Sequence, residues 1–183
     1  MAQLQNARIL MIATNGFEES ELFEPRQALL DAGAEVTLAS LDLQPITAES
    51  GGEKGRSITP DATVEQVDLE PFDALLLPGG VGNPDTLRTN AKVVEIVRAF
   101  MDSNRVVAAI CHAPWLLAEA DTVAGRRLTG WPSIRTDLAN AGAEVIDEAV
   151  VQDGNLITSR KPGDIPAFNR AVIAALEDVT APA

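Results

Sequence analysis

Short runs of apolar residues alternate along the chain with segments in which apolar positions recur at helical spacing. Runs without a polar face predict strands of a parallel sheet, and the amphipathic segments between them predict crossover helices. Strands are predicted at residues 7–13, 35–41, 72–77, 106–110, 127–130, 144–146, 149–151 and 156–158. Helices are predicted at 17–31, 91–101, 114–120, 134–141 and 162–177, with Ser133 as a cap and residues 179–183 expected to fray. The pattern indicates one doubly wound, mostly parallel α/β domain over residues 1–183.

Residues 42–62 interrupt this alternation. They place Gly51, Gly52 and Gly55 between two short β-prone pieces, 45–47 and 57–59. We interpret the segment as a β-hairpin at the periphery of the sheet. It is not a phosphate-binding loop, because it lacks the Gly-Lys-Ser/Thr ending and a following helix.

The composition limits the classes of function. A net charge of −13 argues against a basic surface for nucleic acid or anionic lipid, and no apolar run is long enough to span a membrane. Residues 1–8 hold no basic region followed by a long apolar run, so we expect no signal peptide. A single cysteine permits no internal disulfide, which favours a reducing, cytoplasmic location.

The only cysteine, Cys111, and the only histidine, His112, lie between a predicted strand and a helix with Pro114 in its first turn. This is the arrangement of a nucleophile elbow, and a helix N-terminus favours the thiolate. We therefore predict that Cys111 is a nucleophile with a lowered pKa. Alternatively, a lone cysteine at a strand end is a small buried hydrophobe. His112 is an awkward base, because neighbouring side chains usually point apart.

Further candidates lie on the loop after residues 72–77, at the same edge of the sheet. The backbone N–H groups of Gly80 and His112 are the two donors of a candidate oxyanion hole. Alternatively, Gly79-Gly80 is an ordinary tight turn. Asp85 is either the acceptor that orients His112 or an ordinary turn residue.

Acidic residues begin the first helix. Glu18 is our first choice for a carboxyl beside the sulfur, where the pair would share a proton. Glu21, one turn later, is the alternative. For either residue the structural explanation is that the helix dipole favours an acidic side chain at the start of a helix. The single histidine excludes a Ser-His-Asp triad, a glutaminase with a remote histidine and a multi-histidine metal site.

Several motifs together resemble the PfpI (intracellular protease I) family of the class I glutamine amidotransferase-like superfamily, which includes the Parkinsonism-associated deglycase. The matching segments are 16–21 with Pro25, 76–80, 108–114, 130–132, 141–145 and 151–160. The resemblance implies a flavodoxin-like sandwich, a nucleophile at Cys111 and a carboxylate at Glu18. It also implies that Asp85 orients His112 from a neighbouring subunit, in a homodimer or a hexamer built from dimers.

The resemblance implies activity on reactive carbonyls or glycated proteins, with no cofactor, and it leaves intracellular peptidase activity as the alternative. A small carbonyl suits a narrow pocket with one activated thiol, and we expect Trp131 and Arg160 to line it. A third possibility is a redox sensor or chaperone that uses oxidation of Cys111.

Overall fold

Strands and helices alternate along the chain, as the apolar pattern predicts. The computed structural model describes residues 4–180, so residues 1–3 and 181–183 lie outside the described part. Of the segment 179–183 expected to fray, residues 179–180 instead end the last helix. The strands are β1 (Arg8–Ile12), β2 (Phe17–Glu18), β3 (Glu35–Ser40), β4 (Ile46–Ser50), β5 (Glu53–Ile58), β6 (Ala62–Thr63), β7 (Ala74–Leu77), β8 (Val106–Ile110), β9 (Arg127–Leu128), β10 (Glu144–Val145), β11 (Val150–Asp153) and β12 (Leu156–Ser159). The α-helices are α1 (Glu19–Asp31), α2 (Gly82–Leu87), α3 (Ala91–Asp102), α4 (Pro114–Glu119), α5 (Arg135–Asn140) and α6 (Ile165–Thr180).

Seven strands form the central sheet, in the order β11-β12-β8-β7-β1-β3-β6. Neighbouring strands are parallel, except that β11 and β12 form an antiparallel hairpin. Strands β3, β1, β7, β8 and β12 reproduce the flavodoxin-like order, with β6 and β11 added at the edges. The predicted fold class is confirmed. Because β3 and β7 add to opposite sides of β1, the crevice beside the carboxyl ends of β1 and β7 is the expected ligand site.

Side-chain alternation along the strands divides the core into two clusters. On β1, Ile9 and Met11 pack with α1 and α6, whereas Leu10 and Ile12 pack with α3 and α4 on the other face. The central strand β8 alternates in the same way and is buried throughout. Burial on both faces explains why these strands read as continuous apolar runs, and it makes the sheet a rigid platform for the loops at its edge.

The structure differs from the prediction mainly in the short elements. A helix, α2, follows β7 where we predicted only a loop, because its Gly-Asn-Pro start is also typical of a turn. The first helix begins at Glu19 rather than Phe17, since residues 17–18 form β2. Ser133 does not cap a helix. It lies inside a 3₁₀ turn, Pro132–Ile134, that precedes α5.

The predicted hairpin is present as β4 and β5, joined through Gly51 and Gly52. It is longer than expected, and β4 pairs with β2 rather than with the central sheet. Its turn reaches the edge where the candidate site lies, so it is not merely peripheral. Within residues 4–180, no helix is both long and apolar enough to cross a lipid bilayer.

Candidate active site

Cys111 lies at the tip of the turn between β8 and α4, with a backbone φ of +65°. This left-handed conformation costs a residue that has a side chain about 1–2 kcal/mol. Two backbone hydrogen bonds hold it in place. The Cys111 N–H donates to the Ser159 carbonyl at 3.0 Å, and the Cys111 carbonyl accepts from the Trp131 N–H at 2.8 Å. The turn therefore has the constrained geometry of a nucleophile elbow.

His112 contacts the thiol directly, although it is the next residue in the chain. Its Nδ1 lies 3.2 Å from the Cys111 sulfur, and its Nε2 lies 3.3 Å from the Ser133 hydroxyl. The expectation that the two side chains point apart is wrong, because the left-handed turn at Cys111 brings them to one side. The ring is nearly buried, and this burial lowers the pKa of His112.

Glu21, in the first turn of α1, is the carboxyl that lies beside the sulfur. Its side chain is fully buried, and Oε2 accepts the Gly79 N–H at 3.0 Å. Burial raises the pKa of Glu21 to about 8, against the lowering effect of hydrogen bonds with the Cys111 thiol and the Gly79 N–H. At neutral pH the carboxyl therefore keeps its proton and can donate it toward the sulfur.

The expected lowering of the thiol pKa is wrong for this chain. Burial, followed by the charge of Glu21, raises the pKa of Cys111, while hydrogen bonds from the Gly80 and His112 N–H groups lower it less. The charge of Glu21 acts only when that carboxyl is ionised. The thiol and the carboxyl therefore titrate as a pair, and each titration step belongs to the pair rather than to one residue.

Glu18, the first choice from the sequence, is not the carboxyl next to the sulfur. It precedes α1 with an extended backbone, and its carboxylate accepts from the Ser20 hydroxyl at 3.4 Å. Burial raises its pKa, and it lines the same cavity as Glu21. The difference arises because helical spacing begins at Glu19, which turns Glu21 rather than Glu18 toward the core.

The loop after β7 brings two glycines against the pair. Gly80 has a φ of +78°, and a side chain there would collide with the backbone of Gly16 and Glu18. A side chain at Gly79 would collide with both Glu21 and Cys111. Glycine is therefore required at both positions for this close approach. The N–H groups of Gly80 and His112, our candidate oxyanion hole, both lie at the sulfur.

A cavity of about 320 Å³ opens onto the sulfur. It is lined by Trp131, by the exposed Val81 and by three acidic side chains, Glu18, Glu21 and Glu49. Glu49 and the two glycines that follow β4 come from the hairpin. No lysine or arginine is among the described residues that line this cavity.

The hairpin is fastened to α1 through Arg56. Its backbone N–H and its guanidinium bind the Glu19 carboxylate at 2.7 and 2.9 Å, and the guanidinium also lies 3.9 Å from the centre of the Phe23 ring. At the other end, the Asn15 side chain accepts the Thr47 N–H at 2.8 Å. These contacts fix one wall of the cavity relative to the nucleophile.

Two predicted site residues do not reach the cavity within one chain. Arg160 lies outside it, because its guanidinium is held by Asp164 and Asp147 at 2.9 Å each. Asp85 is exposed in the first turn of α2, and no contact joins it to His112 within residues 4–180. Its role toward a neighbouring subunit stays a prediction.

Asn83 is a positioning residue that the sequence reasoning missed. It is fully buried, and its side chain accepts the Thr14 N–H at 2.8 Å and donates to the Pro78 and Gly79 carbonyls at 3.0 Å. It therefore joins the loop after β1 to the loop after β7. Its position after a glycine pair suggested only a turn, and no local pattern marks it as buried.

Comparison with known proteins identifies the family of this chain. The model of the DJ-1/PfpI family matches residues 7–175. The chain belongs to the DJ-1/PfpI family. Three relatives each align with 93% of this chain and have informative names. General stress protein 18 of Bacillus subtilis is 44% identical and 98% covered, Deglycase PfpI of Pyrococcus furiosus is 42% identical and 99% covered, and Putative cysteine protease YraA of B. subtilis is 39% identical and 98% covered.

A solved structure of the family has the same fold. Drosophila melanogaster DJ-1beta superposes with a TM-score of 0.87 and 32% sequence identity. The alignment covers 94% of this chain and 91% of that one. The predicted family is confirmed, and the relatives' names support a DJ-1/PfpI-family enzyme of the hydrolase type.

Replacement of Asn83 tests whether it holds the two loops together. We expect Asn83→Ala to lower the free energy of unfolding by about 2–3 kcal/mol, because three buried backbone groups each lose one hydrogen bond. Urea titration measures this loss. Asn90→Ala is the matched control. Asn90 caps α3 through the Lys92 and Val93 N–H groups, so its loss should cost about 1 kcal/mol. Equal losses in the two variants would contradict the assignment.

The raised pKa of Glu21 predicts a pH-dependent stability. The unfolded carboxyl has a pKa near 4.5 and the folded one about 8, so its stabilising contribution is complete below 4.5 and is lost as the pH rises through 8. Relative to wild type, Glu21→Gln should therefore become steadily more stable between about pH 5 and about pH 8.5. Urea unfolding at several pH values measures this. A difference that does not vary with pH would contradict the buried, protonated carboxyl.

Proposed function

We propose that this chain is a cysteine-dependent enzyme for reactive carbonyls or their protein adducts, acting in stress protection with Cys111 as the nucleophile. The observation that carries the proposal is the thiol itself. It opens onto a cavity, with the Glu21 carboxyl on one side and His112 Nδ1 at 3.2 Å on the other. A sulfur between a proton donor and a proton acceptor is equipped for addition to a carbonyl carbon.

The chemistry follows from the placement of these groups. As the Cys111 sulfur forms its bond to the aldehyde carbon, the thiol proton passes to His112 and the carbonyl electron pair moves to oxygen. The N–H groups of Gly80 and His112 are the donors for that oxyanion. For a 2-oxoaldehyde, the proton on the former aldehyde carbon then moves to the adjacent carbon, and the oxyanion becomes the carbonyl of a thioester. The proton held by His112 passes to the former ketone oxygen. Water then releases a 2-hydroxy acid and regenerates the thiol.

The acidic lining narrows the class of substrate. Glu18 and Glu49 face the cavity beside the protonated Glu21, and no lysine or arginine is among its described lining residues. An anionic carbonyl compound would meet unfavourable charge there, whereas a neutral aldehyde or an adduct on a basic side chain would not. A cavity of about 320 Å³ also suits a small substrate better than an extended peptide.

Peptidase activity is the second candidate, supported by the relative named as a putative cysteine protease. The same nucleophile and oxyanion donors would serve amide hydrolysis. The cavity favours the carbonyl function, because no described residues extend it into a groove for several peptide side chains.

We further propose that the protein works as a homodimer or as a hexamer built from dimers. Val81, a large apolar residue that is 52% exposed, lies at the rim of the cavity close to the exposed Asp85. A second subunit on this face would cover Val81 and bring the partner's Asp85 toward the His112 side of the site. We also expect the protein to act in a reducing compartment such as the cytoplasm, because the Cys111 thiol stays reduced there.

Consumption of methylglyoxal with detection of lactate tests the carbonyl function. We expect wild type to form lactate and Cys111→Ala to lose at least about 10³-fold of that rate, because the nucleophile is gone. Leu43→Ala, at a surface position away from the cavity, should keep wild-type turnover. Full turnover in a correctly folded Cys111→Ala variant would contradict the proposal. Absence of turnover in wild type, with cleavage of a casein peptide, would favour the peptidase.

A further inference from the structure

The imidazole of His112 has a partner on each nitrogen. Nδ1 faces the Cys111 sulfur at 3.2 Å, and Nε2 faces the Ser133 hydroxyl at 3.3 Å. The ring cannot easily turn, because Trp131 stacks on one face at 5.7 Å between ring centres and Trp115 contacts its edge at 5.3 Å. The orientation of the histidine is therefore fixed by aromatic packing and by one hydroxyl.

The two contacts determine which ring nitrogen of neutral His112 carries the hydrogen. A base that takes the thiol proton must carry no hydrogen on Nδ1, so its neutral form carries the hydrogen on Nε2. That hydrogen needs an acceptor, and the acceptor must persist when Nδ1 is also protonated. The Ser133 oxygen is the group in the described chain that meets Nε2.

We propose that Ser133 is the positioning residue of His112: its hydroxyl accepts the Nε2 hydrogen and presents Nδ1 to the Cys111 thiol. This role deepens the proposed function. The resemblance to the PfpI family assigns the corresponding task to Asp85 of a neighbouring subunit. Because Ser133 already occupies Nε2, the partner's Asp85 would reach the ring only through the Ser133 hydroxyl hydrogen.

The surroundings of the ring contain other titratable and charged groups that bear on its titration. Cys111, Glu18, Glu21 and Glu49 share the cavity with His112. On the other side, Trp115 separates the ring from two charges, since its Nε1 donates to Asp137 at 2.9 Å and the Arg88 guanidinium lies 5.2 Å from its ring centre. Replacement of the uncharged Ser133 leaves all these charges in place, so a change in His112 reports the lost hydrogen bond.

Nitrogen NMR reads this arrangement without ambiguity, because His112 is the only histidine in the chain. In protein labelled with ¹⁵N-histidine, we expect wild type to show the neutral tautomer with hydrogen on Nε2. Ser133→Ala should lower the pKa of His112 further, because the protonated ring loses an acceptor, and Ser133→Thr should restore the wild-type pKa. This readout does not depend on turnover, so it stays informative even if the proposed function fails.

Kinetics provide the second readout. We expect Ser133→Ala to lower kcat for methylglyoxal about tenfold with KM nearly unchanged, as for loss of one hydrogen bond that acts on the base. Ser133→Thr should recover most of the rate. Ser57→Ala is the control, because the Ser57 hydroxyl bonds to that of Thr47 on the hairpin and Ser57 is not among the described residues that line the cavity.

Three results would overturn the assignment. One is a wild-type tautomer with hydrogen on Nδ1. The second is a His112 pKa that is the same in Ser133→Ala and wild type. The third is a His112 pKa that responds to Asp85→Asn more strongly than to Ser133→Ala, which would return the positioning role to the carboxylate.

Discussion

The contact between the buried Glu21 carboxyl and the Cys111 thiol is the constraint on which the rest of the site depends. Two acidic groups that share one desolvated space cannot both ionise readily, so they hold their protons together. Glu21 has a raised pKa of about 8, and the pKa of the thiol is raised as well. Both groups of the pair therefore hold their protons in the resting site, and Cys111 is a thiol rather than a free thiolate at a helix N-terminus.

The surrounding fold keeps these two groups close. The left-handed turn at Cys111 is held by backbone bonds from two different segments, and the side-chain-free Gly79 allows the carboxyl and the sulfur to approach. Asn83 ties the glycine loop to the end of β1, while the hairpin is clamped to α1 through Arg56. These contacts lie at the carboxyl edge of the sheet, where an open α/β fold places its ligand site.

The sequence predicted the fold, the family and the elbow, because buried strands and a lone Cys-His pair have strong local patterns. It favoured Glu18 over Glu21, which is wrong, because that choice depends on whether α1 begins at residue 17 or 19, and β2 is too short to recognise. It assigned Ser133 to a cap, although the hydroxyl bonds to a histidine 21 residues away in sequence. Arg160 resembled a pocket residue, but its charge is neutralised by Asp147 and Asp164.

The most direct test of the account is the pH dependence of Cys111 alkylation by iodoacetamide in wild type, Glu21→Gln and Glu18→Gln. If Glu21 shares protons with the thiol, wild type should titrate over a broad range, and Glu21→Gln should give a single, simple titration because the charge has gone. Glu18→Gln should keep the broad wild-type curve, with only a small shift. A simple titration in wild type, or a larger change in Glu18→Gln than in Glu21→Gln, would contradict the paired site described above.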